Sequence, residues 1–154
     1  MAQAGDDRPS QERGAPLIVV DTNIIVHFLL PGEHSSEAER AFRKDPGWAA
    51  PLLWRSEFRN ILATLSRRRV IDAASALLIM EEAERLMDEN EYIVDSAEVL
   101  ALCGRSPCSA YDCEFVALAR QFRIPLVTLD EEILAAFPEN AVGLEEFLGR
   151  RSTK

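Results

Sequence analysis

Short apolar runs alternate along the chain with longer stretches in which apolar side chains return every third or fourth position. The runs suit buried strands and the longer stretches suit helices packed on one face. Residues 16–20 predict a strand that runs into Asp21, and residues 23–30 begin a helix that Pro31 and Gly32 stop. The triplet Ser35-Ser36-Glu37 predicts the cap of a short helix ending near Lys44, and Asp45-Pro46-Gly47 breaks it. A short strand follows at 48–50. Residues 52–69 then predict a long helix with Trp54, Phe58, Ile61, Leu62 and Leu65 on one stripe. Asp72 caps a second long helix to about Glu89, with Leu77, Leu78, Met80, Ala83, Leu86 and Met87 at helical spacing.

The remainder repeats the alternation. It reads as a brief strand at 92–94, helices at 97–102 and 110–122, a buried strand at 124–129, a helix at 131–137, an edge strand at 141–142 and a last helical turn at 144–148. Strands alternating with helices predict an α/β fold: a three-layer α/β/α sandwich around a mostly parallel sheet. The first 14 residues are polar and aperiodic, so they read as a leader outside the core. Residues 15–149 form the domain and 150–154 a flexible tail.

Composition changes this picture little. Hydrophobic residues make up 47% and charged residues 28% of the 154-residue chain, the balance of one ordinary domain. No apolar run approaches the ~20 residues of a membrane span, and the leader lacks the charged and apolar regions of a secretory signal. A cytoplasmic protein is expected. Cys103, Cys108 and Cys113 recur at intervals of five, a spacing foreign to zinc sites, and they read as reduced thiols. The net charge of −9 argues against a general nucleic-acid coat but not against an enzyme that collects carboxylates for metal ions.

Candidate chemistry lies where strands end. In open parallel sheets ligands gather outside the carboxyl ends of the strands. Asp21 follows the first strand and Asp130 follows PLVTL, so both belong at that mouth if their strands are neighbours. Taken alone, each reads more plainly as an ordinary helix cap. Glu57 has Leu53, Trp54 and Ile61 one turn away, which places it at the edge of a buried face. Asp112 lies three residues after Ser109, the spacing of a capping box, yet also at the core-facing start of its helix. Four caps converging by accident on one crevice is the weaker account.

These segments resemble the PIN-domain nucleases, and most closely the toxin ribonucleases of VapBC-type toxin–antitoxin pairs. The resemblance rests on Asp21-Thr22-Asn23, on Ser56-Glu57-Phe58-Arg59-Asn60, on residues 109–119, and on Leu126-Val127-Thr128-Leu129-Asp130. It implies a PIN-like fold, with Asp21, Glu57, Asp112 and Asp130 as a catalytic, metal-binding quartet and Asn23 and Thr128 orienting it. It further implies hydrolysis of RNA with Mg²⁺ or Mn²⁺, a cognate antitoxin, and a homodimer. Hard oxygen ligands suit those ions independently of any family. Pro107-Cys108 stands where such toxins often carry a glycine turn, and the leader is longer than usual; both departures bear on partner surfaces.

Arg55 and Arg59 flank Glu57 and are expected to contact RNA. For Arg67-Arg68-Arg69 the plainer reading is a solvated helix end with favourable C-terminal charge. A haloacid-dehalogenase-like phosphatase would need a second aspartate where Asn23 stands, and a response-regulator receiver would need an acidic pair and a late lysine that are not evident. A non-catalytic PIN-like interaction module is the remaining alternative; it would normally tolerate losses from the quartet, and none is lost here.

Overall fold

A computed structural model describes residues 15–150, so the leader over 1–14 and residues 151–154 of the tail lie outside the described residues. Five strands form one parallel sheet: β1 (Ile18–Val20), β2 (Trp48–Pro51), β3 (Glu91–Tyr92), β4 (Leu126–Thr128) and β5 (Ala141–Gly143), in the order β3-β2-β1-β4-β5. The helices are α1 (Thr22–Leu29), α2 (Ser35–Lys44), α3 (Leu53–Arg67), α4 (Ala73–Met87), α5 (Ser96–Gly104), α6 (Ala110–Phe122), α7 (Glu131–Ala136) and α8 (Leu144–Gly149).

The three-layer α/β sandwich is therefore as expected. Strands β1, β2 and β4 are buried throughout because helices cover both faces of the sheet. One layer holds α1 to α4 with α8, and the opposite one holds α5, α6 and α7. This follows from right-handed crossovers, since the chain first steps outward from β1 to β3 and then returns past β1 to β4. That reversal puts the topological switch point between β1 and β4, where Val19 pairs with Leu126 and Val20 with Val127.

The core is anchored by aromatic side chains at defined contacts. Phe28, Phe42 and Trp48 meet at centroid separations of 4.9 to 5.3 Å, tying α1 and α2 to β2. Trp54 and Phe58, both fully buried, hold the first half of α3 against the sheet. The Trp54 indole N–H donates to Glu91 Oε1 at 2.7 Å, satisfying its polar atom at the edge of the core.

Several helix ends differ from expectation for local reasons. α3 stops at Arg67 because Arg69 adopts the left-handed conformation (φ 57°). Arg69 N–H then donates to the Ser66 carbonyl and Val70 N–H to the Leu65 carbonyl, a Schellman closure. Glu89, also at positive φ, follows the end of α4 at Met87. The start of α2 is not capped by Ser35 as expected. His34 occupies the cap position without a side-chain bond to the helix backbone, while the Ser35 hydroxyl accepts from Gly32 N–H and donates to the Leu30 carbonyl. Ser35 thus closes the preceding turn instead.

Candidate active site

Asp21 stands immediately after β1, at the switch point, and only 8% of its surface is exposed. It receives the Thr22 backbone N–H at 2.7 Å on one oxygen and the Thr128 hydroxyl at 2.6 Å on the other. The Asn23 side-chain amide adds a longer contact of 3.4 Å. These donors favour the charged form, yet burial outweighs them and pushes the carboxyl up to about 6, with the charges of Asp112 and Asp130 adding to the rise. Among the described residues no lysine or arginine pairs with Asp21, Glu57, Asp112 or Asp130. Hydrogen bonds offset part of the cost of burying this charge, and no cation among the described residues offsets the rest.

Thr128 is fully buried and links two of the acids. Its hydroxyl donates to Asp21 and accepts the Asp130 backbone N–H at 3.0 Å. Asp130 also caps α7, accepting the N–H groups of Glu132 and Ile133 on Oδ1. Glu57, on the first turns of α3, is half-buried, and its Oε1 accepts the Thr22 hydroxyl at 2.8 Å. Burial raises its carboxyl above the ordinary range, and the charges of Asp21, Asp112 and Glu114 push the same way. Asp112 closes the capping box of α6: its backbone N–H donates to Ser109 Oγ and its Oδ2 accepts the Ser109 N–H.

The structure thus brings Asp21 within electrostatic reach of Glu57, Asp112 and Asp130, and Glu57 within reach of Asp112, while Asp112 and Asp130 also serve as caps. Cap and site are not alternatives here. The helices that follow the strands begin at the carboxyl edge of the sheet, so a capping acid is already at the mouth. Asn23 and Thr128 both touch Asp21. Two side chains had no role in the sequence reading. Thr22 bridges the first strand to Glu57 across 35 positions of sequence. Glu114, half-buried and raised by desolvation, is felt by Glu57 as a fifth charge. Its only sequence signal is its place two residues after Asp112.

Arg55 does not face the acids. Its guanidinium forms a two-pronged pair with Glu91, at 2.5 and 2.8 Å, and a further contact with Glu84 at 3.2 Å. Arg59, one turn on, is exposed and lends its charge to the same Glu91. The cysteines are free thiols; Cys108 and Cys113 are buried, and burial pushes Cys113 up to about 12, an unreactive range.

The donor set is chemically suited to a hard divalent cation: carboxylate and hydroxyl oxygens, a buried uncompensated charge, and the Asn23 Oδ1 left buried without a donor beside Asp21. Among the described residues no group of three or more acidic, histidine or cysteine side chains is arranged to hold an ion as the side chains stand. Glu57 and Asp112 are half-buried, and each engages one carboxylate oxygen in a hydrogen bond within the chain.

Removing the Thr128 hydroxyl tests the scaffold. Thr128→Val leaves Asp21 without its shortest donor and the Asp130 N–H without an acceptor, at a cost of about 1–3 kcal/mol. Chemical denaturation should register that loss, and Thr128→Ser should recover most of it. Equal stability of the valine variant and the parent would show that the hydroxyl supports neither acid.

Comparison with known proteins places this geometry. Residues 18–139 match the model of the PIN domain. The chain is 28% identical over 124 residues to a protein named Ribonuclease VapC3 from Pyrobaculum aerophilum, covering 79% of this chain and 95% of that one. Among solved structures it resembles PAE2754 from Pyrobaculum aerophilum, with a TM-score of 0.71 and 21% identity over 88% of this chain and 96% of that one. It also resembles FitAcB from Neisseria gonorrhoeae, with a TM-score of 0.68 and 16% identity over 84% and 99% of the two chains. At these identities the two structures speak for the fold alone.

Proposed function

Because the chain belongs to the PIN domain family, we propose that it is a metal-dependent endoribonuclease and the toxin of a toxin–antitoxin pair. The observation that carries this reading is Asp21: a buried carboxylate at the switch point, uncompensated by any cation of the described chain and within electrostatic reach of Asp112, Asp130 and Glu57. A fold does not need such an arrangement for stability, and it costs stability to keep. The relative named Ribonuclease VapC3 supports the reaction class.

Asp21, Glu57, Asp112 and Asp130 would hold Mg²⁺ or Mn²⁺. A bound ion would let a water lose its proton and so become able to attack a phosphodiester, and would place positive charge beside the departing oxygen. The chain's own part is positioning. Thr22 and Thr128 fix the oxygens of Asp21 and one oxygen of Glu57, and the buried switch point keeps bulk water from solvating Asp21. The test is incubation of the protein with single-stranded RNA, with and without divalent ions, beside an Asp21→Asn control. A non-catalytic interaction module would leave RNA intact in every arm.

The partner reading follows from the resemblance to VapC-type toxins: an antitoxin protein and a second copy of this chain. In the apolar run from Ile25 to Leu30, Ile25 is buried in the core while Val26, Phe28, Leu29 and Leu30 are partly buried against it. Sedimentation at tens of micromolar should return a dimer mass, and a strictly monomeric mass would remove the homodimer from the proposal. No described helix is long and apolar enough to cross a membrane.

A further inference from the structure

Helix α3 and its C-terminal turn carry a charge pattern that the acidic crevice does not explain. In a chain of net charge −9, residues 53–69 contain five arginines and a single acid, Glu57. Arg55 is consumed by Glu91 and Glu84, and Arg59 lies on the same side. Arg67, Arg68 and Arg69 are all exposed, and among the described residues none has a carboxylate within ion-pair reach. The helix dipole explains a cation in the last turn. It does not explain three in succession, the last of them beyond the helix in a left-handed conformation.

Their position relative to the acids is set by the helix itself. Residues three and four apart share a face, so Glu57, Asn60, Thr64 and Arg68 form one stripe. The stripe begins at Glu57 in the crevice and, at the rise of an α-helix, reaches Arg68 after ~16 Å. No acid interrupts it. Asn60 is exposed, and the half-buried Thr64 donates its hydroxyl to the Asn60 carbonyl. The buried residues of α3 are Trp54, Phe58 and Leu62, so nothing past Leu62 is committed to the core. The Schellman closure at Ser66–Arg69 and Leu65–Val70 fixes the backbone from which the three guanidiniums project.

We propose that this stripe is the approach path of single-stranded RNA, whose phosphates are gripped by Arg67, Arg68 and Arg69 while the bond to be cut lies among Asp21, Glu57, Asp112 and Asp130. The inference rests on the ribonuclease reading above. Its physical basis is charge complementarity. A polyanion approaching a strongly acidic chain needs cationic anchors outside the crevice, and the planar arginine fork matches phosphate oxygens better than lysine does. Arg55, the arginine nearest Glu57 with a known partner, is not available for that task.

The test is binding of a fluorescein-labelled single-stranded RNA oligonucleotide across a salt series, in an Asp21→Asn background that does not cut it. The variant is Arg67→Gln/Arg68→Gln/Arg69→Asn, with asparagine at the position of positive φ because it tolerates that conformation. Losing three phosphate contacts from a single strand should make the slope of log affinity against log salt shallower by ~2 and weaken binding at low salt by roughly tenfold or more. The melting temperature should fall only slightly, since the three side chains make no bond to other described residues and add just a favourable charge at the helix end. Arg68→Gln alone should shift the slope by ~0.7, which keeps the test available if the triple variant folds poorly. In the cleavage-competent background, KM should rise with kcat unchanged. An unchanged slope and KM, with cleavage intact, would overturn the approach path while leaving the ribonuclease reading standing. So would loss of a protein contact, such as the dimer, with RNA binding unaltered. Failure of the parent to cut or bind RNA at all would sink the ribonuclease reading and the path with it.

Discussion

Replacing Asp21 by asparagine is expected to make the metal-free protein more stable while lowering RNA cleavage by two orders of magnitude or more. The stability arm follows from the direction of the Asp21 shift. Its carboxyl ionises at an ordinary value of 3.8 when unfolded and about 6 when folded. Between those values the folded state holds more protons than the unfolded state, so stability falls as pH rises from about 4 to about 6. Above that window the ionised carboxylate costs about 3 kcal/mol, from a separation of about two pKa values at ~1.4 kcal/mol each. Asparagine is neutral at every pH, and its single oxygen keeps one of the two contacts, since the Thr22 N–H and the Thr128 hydroxyl bind different oxygens of Asp21. A pH series of melting temperatures should therefore show the parent losing stability toward neutrality and Asp21→Asn lacking that component. The activity arm follows because asparagine cannot supply the charge that gathers a cation. A variant that was both less stable and fully active would show Asp21 to be a structural cap.

Chelation is expected to have the other large effect. EDTA should abolish cleavage, and Mg²⁺ or Mn²⁺ should restore it, leaving a 5′-phosphate and a 3′-hydroxyl at the cut. The side chains around the crevice are acids and their supporting hydroxyls. The chain's two histidines pack on each other at 5.1 Å between ring centroids, in the last turn of α1 and at the start of α2. His34 is further engaged by Glu37. A metal-free route through the ribose 2′-hydroxyl would lack the histidine base it normally uses. A 2′,3′-cyclic phosphate at the cut would refute the proposed reaction. The ions should also raise the melting temperature, because the folded state gathers carboxylates that the unfolded state scatters. That gain should grow as pH rises through about 6, since protons compete for Asp21.

Helix and strand positions were legible in the sequence because they depend on local patterns. The apolar run ending at Asp21, the PLVTL run before Asp130, and the stripe of Trp54, Phe58 and Leu62 each report which side of a short segment must leave water. The rule that ligands collect at strand ends then put Asp21 and Asp130 at one mouth once their strands were neighbours. The pairing of β1 with β4 makes them so. The Ser109–Asp112 capping box was equally visible, since both partners lie within one turn.

Contacts between residues far apart in sequence were decided by the tertiary structure. Arg55 reads from sequence as a phosphate contact beside Glu57, but β3 pairs with β2 and carries Glu91 to its guanidinium, where a short, two-pronged ion pair holds it. Thr22 reaches Glu57 across 35 positions and Thr128 reaches Asp21 across 107. Neither spacing has a local signature. The sequence determined the elements and the acids that end them, because periodicity and capping act over one or two turns. Strand order and helix packing determined which acids share a crevice and which arginines remain unpaired, because those outcomes depend on distances that only the assembled sheet sets.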